Sequence, residues 1–285
     1  MEAIADEKFH EQKMEKQNNS VSVITICRNS EAVIEETMIS VLQQKYGNFE
    51  YIIVDGASTD HTVNLIQNMI PAFTEKGIRV DFRSEKDKGI QDAENKGLAR
   101  ATNHWSILLH AGDTFANDMV LSNIFAEKED FEVCGIYGDT IYVYNGVERT
   151  KKARPFETIF ADFTLPFCTQ SVFVKTDVYK KYGFDPEYSP AADYHLFAKL
   201  YADGCKFRYL NIPVARYKCG GISNMQQVKG IKSKLRTQEE IGQMKYTSFY
   251  KWRLIKQTEL KAKLKKCLPD SIVAKIRKRN ITKLK

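Results

Sequence analysis

The sequence predicts an α/β fold, a sheet flanked by helices and parallel in its first half, followed by a basic helical extension. Three observations predict it. Aliphatic and β-branched runs alternate with amphipathic stretches through the first 110 residues, the pattern of strands joined by crossover helices. Each apolar run ends in a polar, acidic segment: Asp55-Gly56, Ser84 to Asp87, and His110 to Asp113. Charge is also unevenly placed. Residues 227–285 hold 18 Lys and Arg against 4 Asp and Glu, so a net charge of +7 splits into a body of −7 and an end of +14.

The elements follow in order. Met1 to Ser20 are polar and charged without an apolar core, so a polar tail or short helix over 1–20 is expected rather than a secretory leader. Val21 to Cys27 reads as a buried strand. Asn29 and Ser30 are candidate N-caps for a helix with Ile34, Met38, Val41 and Leu42 on one face. Gly47 and Asn48 break it, and Phe49 to Val54 is the second strand. Asp55 to Asp60 has turn chemistry, and the next helix carries Val63, Ile66 and Ile70 and is predicted to stop near Pro71. A third strand covers Arg79 to Arg83, a helix places Ile90, Ala93, Gly97 and Ala101 on one side, and Trp105 to Leu109 is the fourth strand. Beyond it, Val133 to Val143 and Ser171 to Val174 are strand-like, Ala191 opens a helix to about Ala202, and two short strands flank Pro213.

Composition narrows the function. At 43% hydrophobic and 28% charged the chain is globular, and no apolar run reaches the ~20 residues of a membrane-spanning helix. Six cysteines without a C-x-x-C pair suggest neither a zinc ribbon nor a disulfide framework, and fit a reduced, cytoplasmic setting. There is no G-x-G-x-x-G and no P-loop. In a parallel sheet, ligands bind at the carboxyl ends of the strands. Carboxylates there, without a glycine cradle, suggest a divalent cation that neutralises a diphosphate.

Val21 to Asn29, Tyr51 to Asp60, Glu85 to Gly97, Leu109 to Asp113, Thr169 to Phe173, Ala192 to Tyr194 and Gly220 to Ser223 carry a resemblance. In this order they resemble family-2 glycosyltransferases of the GT-A fold, over about 21–225, and are most similar to bacterial enzymes of surface-polysaccharide synthesis. The resemblance implies a mixed sheet flanked by helices as a whole, and a non-processive, inverting transfer from a nucleotide-diphosphate sugar (UDP favoured, GDP possible) to a glycan or lipid-linked saccharide. It implies that Asp55 contacts the base and that Asp113 binds Mg²⁺ or Mn²⁺ at the diphosphate. It implies that Asp193 is the catalytic base and that Asp92 lies beside the donor. Arg28 and Lys88 are candidates for the phosphates, and Gln170 for the acceptor. His110 could ligate metal or simply pack. Two positions depart from the family pattern: Ala111 replaces the first acid of the metal motif, and Ala192 precedes the base. They motivate an alternative, an inactive sugar-nucleotide-binding protein.

In 226–285, Trp252, Ile255, Leu260, Leu264, Cys267 and Leu268 recur at mostly helical spacing among lysines. This predicts basic amphipathic helices able to lie on an anionic membrane, and peripheral placement at the inner face of the cytoplasmic membrane. The tail leading a membrane-binding module is the other alternative. No nucleic-acid recognition motif occurs. The family's processivity motif Q-x-x-R-W is not matched at Gln226 to Gly230.

Overall fold

The computed structural model describes residues 19–125, 133–161, 163–219, 226–243 and 247–266, with scattered positions beyond. Residues 1–18, the predicted motif Gly220 to Ser223, and most of the chain after 266, Cys267 included, lie outside the described residues.

The first four strands are β1 (Val21–Cys27), β2 (Phe49–Asp55), β3 (Arg79–Ser84) and β4 (Trp105–Leu108). They pair in parallel in the order β3-β2-β1-β4. Three crossover helices join them: α1 (Ile34–Leu42), α2 (Thr62–Glu75) and α3 (Ile90–Arg100). β1 and β2 are buried throughout, because helices cover both sheet faces, and so their sequences read as unbroken apolar runs. Val21, Val23, Tyr51 and Ile53 point to one face, with Met38 and Phe73; Ile24, Ile52 and Val54 point to the other, with Leu98 and Phe197.

The sheet continues on the other side of β4. β5 (Thr114–Phe115), β6 (Gly135–Tyr144), β7 (Val147–Lys151), β8 (Val172–Lys175) and β9 (Phe207–Lys218) complete nine strands in the order β3-β2-β1-β4-β8-β6-β9-β5, with β7 on β6. β8 is antiparallel to β4 and β6, so the sheet is mixed, as predicted. The remaining helices are α4 (Val120–Phe125), α5 (Thr176–Tyr182), α6 (Ala192–Ala202), α7 (Gln227–Glu240) and α8 (Ser248–Lys266).

Three local expectations are corrected. α2 does not stop at Pro71 but runs to Glu75. An internal proline costs roughly 3 kcal/mol through its missing N–H and its ring clash. Fully burying Phe73 against Tyr51, ring centroids 5.1 Å apart, returns a comparable amount. Asn29 and Ser30 do not cap α1 with their side chains; Val33 occupies that position without a side-chain cap. Asn29 instead adopts φ +49° and its Oδ1 accepts from Thr59 N at 2.9 Å, tying the β1 and β2 loops together. The segment around Pro213 is one strand, β9, not two. Pro213 falls opposite Asp139, where the register with β6 shifts, so its missing donor sits in a bulge.

Candidate active site

The order β3-β2-β1-β4 makes β1 a switch point: the chain leaves it on one side toward β2 and later returns on the other as β4. A crevice must open where the carboxyl ends of these strands diverge. A cleft of about 840 Å³ lies past the end of β4, and Asp113, Gln170 and Asp193 all line it. Three of the predicted residues are therefore brought together from sequence positions up to 80 apart.

Asp113 is placed by the turn after β4. Ala111 N donates to Ile26 O at 3.1 Å and Gly112 N to Thr37 Oγ1 at 2.9 Å. Gly112 has φ +95°, a conformation that disfavours any side chain there, which explains Gly between Ala111 and the acid. Asp113 is buried, and its Oδ1 accepts from Lys218 N at 2.9 Å. Burial pushes its carboxyl up to about 6, against the opposing pull of that N–H, His110 and Lys218.

Asp193 stands in the first turn of α6, where the helix dipole favours an anion. Its Oδ1 accepts from Tyr194 N at 2.7 Å, and Thr169 Oγ1 donates to Oδ2 at 3.5 Å. Burial raises its pKa, and the Lys234 ammonium, reaching the same cleft from α7, opposes that rise. Gln170 is buried, with Oε1 accepting from Cys168 Sγ at 2.9 Å and Nε2 3.5 Å from His110 Nδ1. His195, two residues beyond Asp193, faces away and stacks on Tyr188 at 3.5 Å between ring centroids.

Of the other predicted residues, His110 also lines this cleft, while Arg28, Asp55, Lys88 and Asp92 do not. Cys27, Asp55 and Ser84 are in register at the ends of β1, β2 and β3. Asp55 is fully buried, accepting from Ser58 N at 2.9 Å, from Ser84 Oγ at 2.7 Å and from the Ser58 hydroxyl. Arg28 is exposed beside Gly56, where Asp87 also packs: a Cβ on Gly56 would meet Asp87 Oδ2 at 2.1 Å. Asp92 accepts from Lys88 N at 3.0 Å and pairs with Lys96 Nζ at 3.2 Å. The Lys88 N–H and Lys96 hold its carboxyl below the usual range. Lys88 is exposed.

Glu94 and Lys234 are among the lining residues not singled out from sequence. Glu94 follows Ile90 and Gln91 on the α3 face that lines the cleft, a helical spacing that was visible, but nothing in sequence shows that this face is occluded. Lys234 was concealed in what looked like a solvated basic segment. Among the described residues no group of three or more His, Cys, Asp or Glu side chains could hold a metal ion. Asp113 alone still fits a shared site, because Mg²⁺ and Mn²⁺ are commonly held by one or two carboxylates together with substrate phosphates.

Residues 22–201 match the model of glycosyl transferase family 2. The chain belongs to that family. It is 28% identical over 212 residues to a PGL/p-HBAD biosynthesis glycosyltransferase of Mycobacterium tuberculosis, covering 71% of this chain and 78% of that one. Its fold is similar to that of TarS from S. aureus, solved with UDP-GlcNAc, at 18% identity and a TM-score of 0.63, covering 81% of this chain and 69% of that chain. It is also similar to the mannosyltransferase PcManGT of Pyrobaculum calidifontis, solved with GDP-Man and Mn²⁺, at 17% identity and a TM-score of 0.59, covering 86% of this chain and 69% of that chain. The fold is GT-A, and the protein is a glycosyltransferase.

Proposed function

We propose that this glycosyltransferase moves one sugar from a nucleotide-diphosphate donor, UDP-linked in preference to GDP-linked, to a glycan or lipid-linked saccharide during surface-polysaccharide synthesis. The observation that carries the reading is Asp113 and Asp193 lining one cleft at the switch point of the sheet. The nucleotide sugars held by TarS and PcManGT support it.

Asp193 takes the proton of the acceptor hydroxyl as that oxygen bonds to the anomeric carbon. The bond from that carbon to the diphosphate oxygen breaks on the opposite face, and its electron pair leaves with the diphosphate. One displacement with one base inverts the anomeric centre. Asp113 would hold Mg²⁺ or Mn²⁺, which, when bound, stabilises charge on the departing diphosphate. Asp55 receives a base N–H by sharing its oxygens with the Ser58 and Ser84 hydroxyls, which can rotate toward other partners. Arg28 and Lys88 meet the phosphates, and Asp92 orients Lys88 through its backbone N–H. Gln170 lines the acceptor side.

α8 does not separate apolar from basic side chains onto two faces, so it is not the amphipathic helix expected; its outward side exposes Phe249, Trp252, Leu260 and Leu264 mixed with Arg253, Lys256 and Lys263. We assign this side to an anionic membrane surface, which would keep the enzyme peripheral at the inner face of the cytoplasmic membrane, beside a lipid-borne acceptor.

Titration of the full chain with UDP and GDP, with and without Mn²⁺, tests donor binding; release of nucleotide from a donor sugar tests chemistry. The reading requires Mn²⁺-assisted binding of one nucleotide and turnover that disappears in Asp193→Asn. Binding without any turnover by the unaltered chain would favour the inactive alternative raised by Ala111 and Ala192.

A further inference from the structure

The cleft contains a buried pair that neither Asp113 nor Asp193 needs for the roles above. Glu94 and His110 both line it. Glu94 is 4% exposed, and its Oε1 lies 3.2 Å from His110 Nε2. On its other edge His110 places Nδ1 3.5 Å from Gln170 Nε2. Glu94 Oε2 is buried with no hydrogen-bond partner among the described residues. A buried carboxylate oxygen without a donor is costly, so its persistence needs a reason.

Position supplies one. Glu94 and His110 line the same cleft as Asp113 and Asp193, and Asp113 N donates to His110 O at 2.9 Å in the turn after β4, so the pair borders the space the two acids share. In an in-line displacement the reacting carbon lies between the leaving diphosphate and the attacking oxygen. A side chain that borders the space shared by Asp113 and Asp193 therefore faces the transferred sugar.

We propose that Glu94, steadied by His110, selects the transferred sugar by accepting a hydrogen bond from one of its ring hydroxyls. This rests on the donor reading above. Burial raises the Glu94 pKa and His110 opposes that rise; once ionised, the carboxylate only accepts, so the group opposite must be a donor. A uronic acid carboxylate turned toward Glu94 offers it no donor and repels it, although Lys151, Lys218 and Lys234 also line the cleft. The ligand class is a nucleotide-linked neutral pyranose with a free hydroxyl toward α3. An analogue lacking that hydroxyl leaves Glu94 unpaired, and sites built on a buried polar partner reject such analogues strongly.

Calorimetric titration of the full chain in Mn²⁺ tests this. The probes are UDP, GDP, UDP-glucose, UDP-galactose, UDP-GlcNAc, GDP-mannose, UDP-glucuronic acid and monodeoxy analogues of whichever sugar binds. Two variants are used: Glu94→Gln keeps the shape, and Glu94→Met keeps the volume, so a folding failure of one leaves the other. Both should bind the free nucleoside diphosphate within about twofold of the unaltered chain. The preferred neutral nucleotide sugar should bind about tenfold more weakly to the Gln variant and up to about a hundredfold more weakly to the Met variant. One monodeoxy analogue should lose about tenfold on the unaltered chain and nothing further on Glu94→Met. Equal loss for the free diphosphate and the sugar nucleotide would overturn the proposal, leaving Glu94 a pocket-shaping residue, as would no loss at all. If the unaltered chain binds no nucleotide sugar, the donor reading falls and this one with it.

Discussion

Asp113 and Asp193 are both buried acids, and their chemistry makes different demands on them. Asp113 has a folded pKa of about 6 against an ordinary 3.8, so the folded state takes up its proton first as the pH falls. Its contribution to stability is therefore largest at low pH and is lost as the pH rises through about 6. At neutral pH the buried charge costs up to about 3 kcal/mol. Asp113→Asn should raise the melting temperature at pH 7, with the gain fading by pH 4, and should abolish Mn²⁺-dependent donor binding; calorimetry and titration read the two effects. In the proposed mechanism Asp193 must be ionised to take the acceptor proton. Burial raises its pKa, so the acid limb of kcat falls at a higher pH than a free aspartate would give. Lys234 opposes that rise, so Lys234→Met should move the limb to still higher pH, which a purely structural loss would not do. Asp193→Asn should lower kcat by about 10² to 10⁴ with donor affinity retained, since general-base catalysis is worth that much. That these two acids end a strand and open a helix was legible in sequence, and the family resemblance singled them out as candidates; that they share one cleft was not. Glu94 was not legible, since its burial and unpaired oxygen are revealed only by packing.

At the scale of elements, the parallel half of the sheet was readable because burial on both faces leaves continuous apolar strands separated by amphipathic helices. The hairpin β6–β7 was also signalled, by Asn145-Gly146 with φ +47° and +74°, but this turn lies just past the stretch Val133 to Val143 and was not read as one. A helix here was expected, but the docking of α7 was hidden for another reason. Its inner face is built from Gly230, Ser233, Leu235, Thr237 and Gln238, mostly small or polar, while Lys229, Lys232 and Arg236 point outward. The helix docks through hydrogen bonds and rings rather than an apolar stripe. Gln238 Nε2 donates to Tyr194 OH at 2.7 Å, Thr237 Oγ1 is 3.2 Å from His195 Nδ1, and Arg236 lies over the Tyr188 ring at 4.5 Å. The first two contacts grip α6 within two residues of Asp193, and the third holds the turn before it. Gln238→Ala should therefore destabilise the fold by about 2 kcal/mol, through a lost buried hydrogen bond and a cavity, as measured by urea unfolding. It should lower activity at temperatures where the chain is still folded, because the α6 start is less firmly held.

On the scale of the whole molecule, the charge split and the last described helix belong together. No helix among the described residues is long and apolar enough to cross a membrane. α8 instead leaves Trp252 and Leu260 more than half exposed, on a side shared with Arg253, Lys256 and Lys263. Three cations near an anionic surface contribute roughly 3 kcal/mol at low salt, and partly inserted aromatic and leucine side chains add an apolar term. The acidic body disfavours the same surface, which would orient the enzyme with the α8 side down. Screening discriminates the two contributions: the Debye length falls from about 10 Å at 0.1 M salt to about 3 Å at 1 M. Full-length protein should co-sediment with phosphatidylglycerol vesicles and not with phosphatidylcholine vesicles, and should be released progressively by salt. Trp252→Ser combined with Leu260→Ser should weaken vesicle binding at every salt concentration, while Lys256→Gln combined with Lys263→Gln should weaken it at low salt and have little effect at 1 M. Both pairs should leave nucleotide binding unchanged, because α8 lies outside the cleft. Equal sedimentation with neutral and anionic vesicles would refute the electrostatic part of this docking, and no sedimentation with either would refute the docking itself.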